Sequence, residues 1–157
     1  ENSKYKEPDY SSLIKIYENT FSSFLESINT NTKLNFDFEI VSYTCTDSYH
    51  FMRRHNHLPT SDFSAVHYIS FGKDHAKTVY YNPGSTLAVY NQETRKKLYS
   101  ELNSEDLRNH GYYEYFSPHI KEDYLVIVPS YINHEIPSLT VPYKKPRITL
   151  VTNLWIK

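Results

Sequence analysis

Three glycines in 157 residues leave no room for a glycine-rich phosphate loop, so nucleotide folds built on such loops are disfavoured. Cys45 is the only cysteine, which excludes an intrachain disulfide and points to a reducing compartment. No apolar run approaches the length of a membrane span, and the opening ENSKYKEPDY has no apolar secretion-signal core. Charge of one sign is also missing. The formal net charge is −1 and the pI about 6.8, and the pairs Arg53-Arg54, Lys96-Lys97 and Lys144-Lys145 are too scattered to form a phosphate-binding stripe. Nucleic acid and membrane are therefore not expected partners.

What the chain has in quantity is tyrosine, 16 residues of it. Tyrosine and phenylalanine suit strands with one apolar and one wet edge. One helix is predicted over about 10–28, where Ile14, Tyr17, Phe21, Phe24, Leu25 and Ile28 recur at helical spacing and Asp9, Ser11 or Ser12 can cap the start. An amphipathic helix of this kind is expected to pack on a sheet. The rest reads as short strands. FDFEIVSYTCT (36–46) alternates at period two, with Phe36, Phe38 and Ile40 on one side. FSAVHYI (63–69), TVYYN, STLAVY, GYYEYFSP, YLVIVPS (124–130) and RITLVTNLWI (147–156) follow, with a turn at Asn82-Pro83-Gly84. The charged stretch 93–110 reads as an inserted helix or irregular excursion, and 93–119 is a candidate part of the substrate wall. Strands do not alternate with helices, so the expectation is a mainly β, single-domain double-stranded β-helix over 1–157: a cupin-like jelly roll, core about 36–156, with the N-terminal helix packed on it.

Two histidines one residue apart, His55 and His57, precede the FSAVHYI strand. In an extended strand residues i and i+2 share a face, so both imidazoles can offer nitrogen to one divalent ion. A third donor must come from elsewhere, and His134 in YLVIVPSYINHEIP is the best candidate. Three donors on one face leave open positions, the arrangement non-haem Fe(II) oxygenases use. Downstream, Arg147 offers a carboxylate-binding fork, and Thr149 two residues on faces the same way.

In this order HNH, FSAVHYI, YLVIVPSYINHEIP and RITLVTN resemble the Fe(II)- and 2-oxoglutarate-dependent oxygenase superfamily, and within it small bacterial and phage members akin to prolyl hydroxylases. The resemblance covers about 36–156. Ser64-Ala65-Val66-His67-Tyr68 stands for the group's S-G-V-Y-Y strand. Val128-Pro129-Ser130 with His134-Glu135-Ile136-Pro137 stands for its FPS…HEVP segment, and Arg147-Ile148-Thr149 with Asn153 for its closing R-I-S…N strand. The resemblance implies Fe(II) on His55, His57 and His134, and the far carboxylate of the cosubstrate 2-oxoglutarate on Arg147. Thr149 and Tyr68 would hydrogen-bond the cosubstrate, and Tyr43 would line its pocket. It implies a dioxygenase that hydroxylates a peptide or protein residue, proline among the candidates, in a bacterial cytoplasm or, for a phage protein, the host's.

The chain departs from the usual His-x-Asp motif at His57, which makes the donor set neutral where the family's carries one negative charge. Asp62, the nearest downstream carboxylate, has the wrong spacing for that face and suits a turn cap. Two other readings stay open: a three-histidine cupin dioxygenase independent of 2-oxoglutarate, and a non-catalytic jelly-roll binding or structural module. The remaining histidines (His50, His67, His75, His110, His119) and Glu135 are read as non-ligands, Arg53-Arg54 as a solvated strand edge, and Trp155 and Cys45 as buried.

Overall fold

The structure is a computed structural model, and it describes residues 9–28, 33–46, 51–84, 115–139 and 142–157. The expected strand STLAVY and the 93–110 excursion lie outside the described residues. Two compact units are present, Glu1–Phe36 with Ile156–Lys157 and Asp37–Trp155.

The first unit holds helix α1 (Ser11–Ile28). Asp9 Oδ1 accepts the Ser11 amide at 3.0 Å, satisfying one of the N–H groups that a helix start leaves unpaired. Tyr17, Phe21 and Leu25, at i, i+4 and i+8, are its buried residues. Phe21 meets Phe36 edge-on at 6.4 Å. Ile14 and Ile28 are exposed, so the buried stripe is narrower than the sequence pattern suggested. No described helix is long and apolar enough to cross a membrane.

The strands are β1 (Phe36–Thr46), β2 (Met52–His55), β3 (Phe63–Ser70), β4 (Val79–Tyr81), β5 (Tyr115–Phe116), β6 (Tyr124–Pro129), β7 (His134–Ile136) and β8 (Arg147–Ile156). They form two four-stranded sheets, in the orders β1-β8-β3-β6 and β2-β7-β4-β5. β3 pairs antiparallel with both β6 and β8, and β7 with both β2 and β4. This is a jelly roll. β1 sits at an edge and alternates half-buried with exposed residues, as its sequence pattern required. Cys45 falls on the exposed phase of that alternation, with Asp37, Glu39, Val41 and Tyr43, and so is not the buried residue expected.

β3 and β8 are central strands, and their side chains are buried on both faces. Their register sets Tyr68 opposite Thr149, Val66 opposite Val151 and Ser64 opposite Asn153. Directly opposed residues share a face, so Arg147, Thr149, Val151 and Asn153 line up beside Tyr68, Val66 and Ser64. The middle of this face is apolar: Val66, Tyr68, Phe71 and Ile120 cluster with Val126 and Val151. Its polar residues stand at the ends, with Arg147 at one and Asn153 at the other.

Candidate functional site

His134 occupies the middle of the second sheet, opposite His55 of β2 on one side and Tyr80 of β4 on the other. The cross-strand pairing carries the His55 and His134 rings to within 4.4 Å, centroid to centroid. His57 arrives differently. β2 ends at His55, so His57 lies in the following loop and not on the strand the i, i+2 spacing suggested. Hydrogen bonds take over its placement. The His57 amide donates to the Ser130 carbonyl at 2.9 Å and the Ser130 amide to the Asp62 carbonyl at 2.9 Å. The buried Ser61 and Ser130 hydroxyls meet at 2.7 Å, and the Asn56 side-chain Nδ2 donates to Asn133 Oδ1 at 3.1 Å. The turn after His57, with its cis Leu58–Pro59 peptide, is thereby fastened to the segment that delivers His134.

The nitrogens of His55, His57 and His134 lie within 4.8 Å of one another. Ligands about 2.1 Å from one ion stand closer than that, so small ring rotations converge the set. Each outer ring is already oriented: His55 Nδ1 bonds the Arg53 carbonyl at 2.7 Å and His134 Nδ1 the Ile132 carbonyl at 3.1 Å. A carbonyl only accepts, so Nδ1 carries the proton and Nε2 keeps its lone pair for a metal. Burial lowers the His134 pKa to about 4, with help from the neighbouring His55 and His57. Burial, then His55, lowers that of His57, while Asn153 opposes the shift. Both are thus neutral donors at pH 7, and the set fits a divalent ion of the nitrogen-loving kind.

The second part of the site surrounds Arg147. Its side chain is 1% exposed, yet among the described residues no carboxylate pairs with it. Nη1 reaches Thr149 Oγ1 at a long 3.4 Å, Nε has no hydrogen-bond partner, and the guanidinium lies 5.5 Å from the Tyr68 ring centre. Burial lowers its pKa, and Tyr68, Tyr143 and Tyr80 push the other way. A buried cation without a counter-charge costs several kcal/mol, on the order of a lost ion-pair partner. The surroundings of Arg147 are therefore complementary to an anion. Tyr80, its ring 5.7 Å from that of His134, joins this region to the histidines.

Among the residues singled out from sequence, the fold brings His55, His57 and His134 together, and separately Arg147, Thr149 and Tyr68. Tyr43 stands apart on the exposed face of β1, 43% accessible. Asp62 stays outside the histidine cluster. Glu135 is occupied elsewhere, accepting from the Tyr81 hydroxyl at 2.8 Å beside Arg54, which lies over the Tyr81 ring at 3.5 Å. Arg54 is thus part of a surface cluster and not simply a solvated edge. His67 bonds Asp123 and His75 bonds the Lys145 carbonyl, structural roles both, and Trp155 is half-buried, its indole donating to the Thr60 carbonyl. Tyr80 and the placing role of Ser130 were not read from sequence. For Tyr80 the only signal was its period-two position in TVYYN, which leaves open whether it or Tyr81 points inward.

No protein-family model and no curated protein matches the sequence. Solved structures do. An oxidoreductase of the 2OG-Fe(II) oxygenase family from Burkholderia pseudomallei is 12% identical with a TM-score of 0.60, covering 91% of this chain and 55% of that one. A prolyl-4-hydroxylase from Pseudomonas putida is 14% identical with a TM-score of 0.52, covering 99% of this chain and 72% of that one. The chain has the jelly-roll fold of these oxygenases. It spans little more than half the length of the first.

Proposed function

We propose that the protein is an Fe(II)- and 2-oxoglutarate-dependent dioxygenase that hydroxylates a peptide or protein residue, with proline among the candidates. His55, His57 and His134 would hold the iron. Arg147, with Tyr68 and Thr149, would anchor the far carboxylate of 2-oxoglutarate. When bound, iron and cosubstrate supply oxygen activation coupled to decarboxylation of 2-oxoglutarate to succinate. The chain's own contribution is orientation and exclusion of water: backbone carbonyls fix two of the imidazoles, and Val66, Phe71, Ile120, Val126 and Val151 keep the intervening face dry.

One observation carries this reading, the buried Arg147 with no carboxylate partner among the described residues, on the same fold as three convergent imidazoles. A stabilising role alone does not account for a lone buried guanidinium, whereas a dianionic cosubstrate does. The peptide substrate is drawn from the resemblance to a prolyl hydroxylase.

The experiment is succinate formation by purified protein supplied with Fe(II) and 2-oxoglutarate. Wild type forms succinate and His134→Ala does not. Absence of both turnover and 2-oxoglutarate binding in wild type would refute the proposal. His57 in place of a carboxylate favours one second reading, a three-histidine dioxygenase. Oxygen consumption that needs no 2-oxoglutarate and survives Arg147→Met would select it.

A further inference from the structure

We infer that Arg54, Tyr81 and Glu135 are positioning residues for the metal site: on the outer face of the second sheet they hold a β-bulge in β2 that turns His55 toward His57 and His134. This rests on the metal-binding reading above and is independent of the 2-oxoglutarate reading. The starting point is a register shift. Met52 pairs with Ile136 and His55 with His134, so Arg53 and Arg54 of β2 together oppose the single residue Glu135 of β7. That two-against-one count is a β-bulge. Its consequence is a change of face. Residues three apart on a regular strand point to opposite sides of a sheet, whereas directly opposed residues point to the same side. His134 and Ile136 share the buried side. Met52 and His55 can both turn to it only because one extra residue stands between them. With Met52 in place and no bulge, His55 would stand on the face away from His134.

A bulge interrupts the ladder of backbone hydrogen bonds, so its shape depends on what surrounds it. On the inner side the Arg53 carbonyl takes the His55 Nδ1 bond at 2.7 Å, so the bulge itself supplies the acceptor that orients the ring. On the outer side three side chains close on one another. The Arg54 guanidinium carbon lies 3.5 Å from the Tyr81 ring centre, and its Nε 3.7 Å from Glu135 Oε2. The Tyr81 hydroxyl donates to Glu135 Oε1 at 2.8 Å. Each of the three thus touches the other two, and they come from β2, β4 and β7. The Tyr81 amide adds a bond to the Asn133 carbonyl at 2.8 Å, one residue before His134. Two members adjoin the imidazoles in the chain, Arg54 before His55 and Glu135 after His134. Stability alone is a poor account of this bracket. The Arg54 and Glu135 side chains are 54% and 29% exposed, and ion pairs open to water contribute little. What the bracket supplies is a fixed register across three strands, directly behind two of the metal-binding rings.

The test compares wild type with Arg54→Ala and with Arg54→Lys, which keeps a cation over the Tyr81 ring. Three readouts are taken on the same preparations: Co(II) affinity with the visible spectrum of the bound ion, the His55 tautomer in metal-free protein by ¹⁵N NMR, and the urea midpoint. The positioning role predicts that Arg54→Ala binds Co(II) about tenfold more weakly, as for lost outer partners of a metal ligand. Its Co(II) spectrum shifts, a second His55 tautomer becomes populated, and the urea midpoint moves little. Arg54→Lys recovers most of the affinity. A merely structural bracket would lower the urea midpoint and leave affinity, spectrum and tautomer as in wild type. Co(II) affinity and spectrum unchanged in Arg54→Ala, whatever the urea midpoint does, overturn the inference and leave the metal reading standing. Failure of wild type to bind Co(II) overturns both.

Discussion

His55 and His134 face each other across β2 and β7 as directly paired residues, ring centroids 4.4 Å apart, each spending Nδ1 on a backbone carbonyl two residues earlier in its own chain segment. The same local device, repeated on neighbouring strands, presents two Nε2 lone pairs to one point. Removing either ring leaves fewer than three donors. His55→Ala and His134→Ala will each weaken Co(II) or Mn(II) binding by at least about 100-fold, since even outer-sphere partners of metal ligands cost up to that much. Metal titration followed by Co(II) absorption checks this.

His57→Asp restores the usual two-histidine, one-carboxylate set and lowers the charge of the loaded site by one. Metal affinity will rise by about tenfold, while 2-oxoglutarate, a dianion, will bind the loaded site more weakly. Paired calorimetric titrations with metal and then cosubstrate read both signs. Parallel changes in the two affinities would show that charge is not what the third histidine alters.

The metal-free protein will lose stability in acid through its histidines. Unfolded, His134 has its ordinary pKa of 6.5, whereas folded it sits at about 4. Between those values the unfolded chain takes up a proton that the folded chain refuses. Stability from this group is complete above about pH 6.5 and is lost as pH falls toward 4, by on the order of 2 kcal/mol. His57, also lowered, shifts stability in the same direction. Urea midpoints of metal-free wild type at pH 7.5 and pH 5 measure the loss, and His134→Leu will flatten it.

Ser130 links the loop of His57 to the segment leading into His134 through its hydroxyl and both backbone groups. Ser130→Ala removes only the hydroxyl bond to Ser61, which is buried, and will cost about 1 kcal/mol of stability. Because that bond braces the segment whose carbonyl holds the His57 amide, metal affinity will fall as well. Denaturant unfolding and metal titration on one preparation separate the two effects.

Much of this was legible in the chain. β1 and β8 fall where alternation and β-branched residues put them, Phe36–Thr46 and Arg147–Ile156. The three histidines, which the fold gathers, and Arg147, which it buries, were singled out because metal and carboxylate chemistry restrict which residue types can serve. Three features were not legible, each because it is non-local. β7 is three residues long and exists through pairing with β2 and β4. The place of His57 depends on a carbonyl at Ser130, not on strand periodicity. The burial of Tyr80 and not Tyr81 depends on how β4 pairs with β7, which period-two alternation in TVYYN does not choose.

The most direct test is calorimetric titration of 2-oxoglutarate, under nitrogen, into wild type, His134→Ala and Arg147→Met, each with and without Mn(II). The metal would meet one end of the cosubstrate and Arg147 the other. Wild type will therefore bind one equivalent in a metal-dependent way, and both variants will lose that binding. Binding that ignores the metal, or that survives Arg147→Met undiminished, would contradict the account.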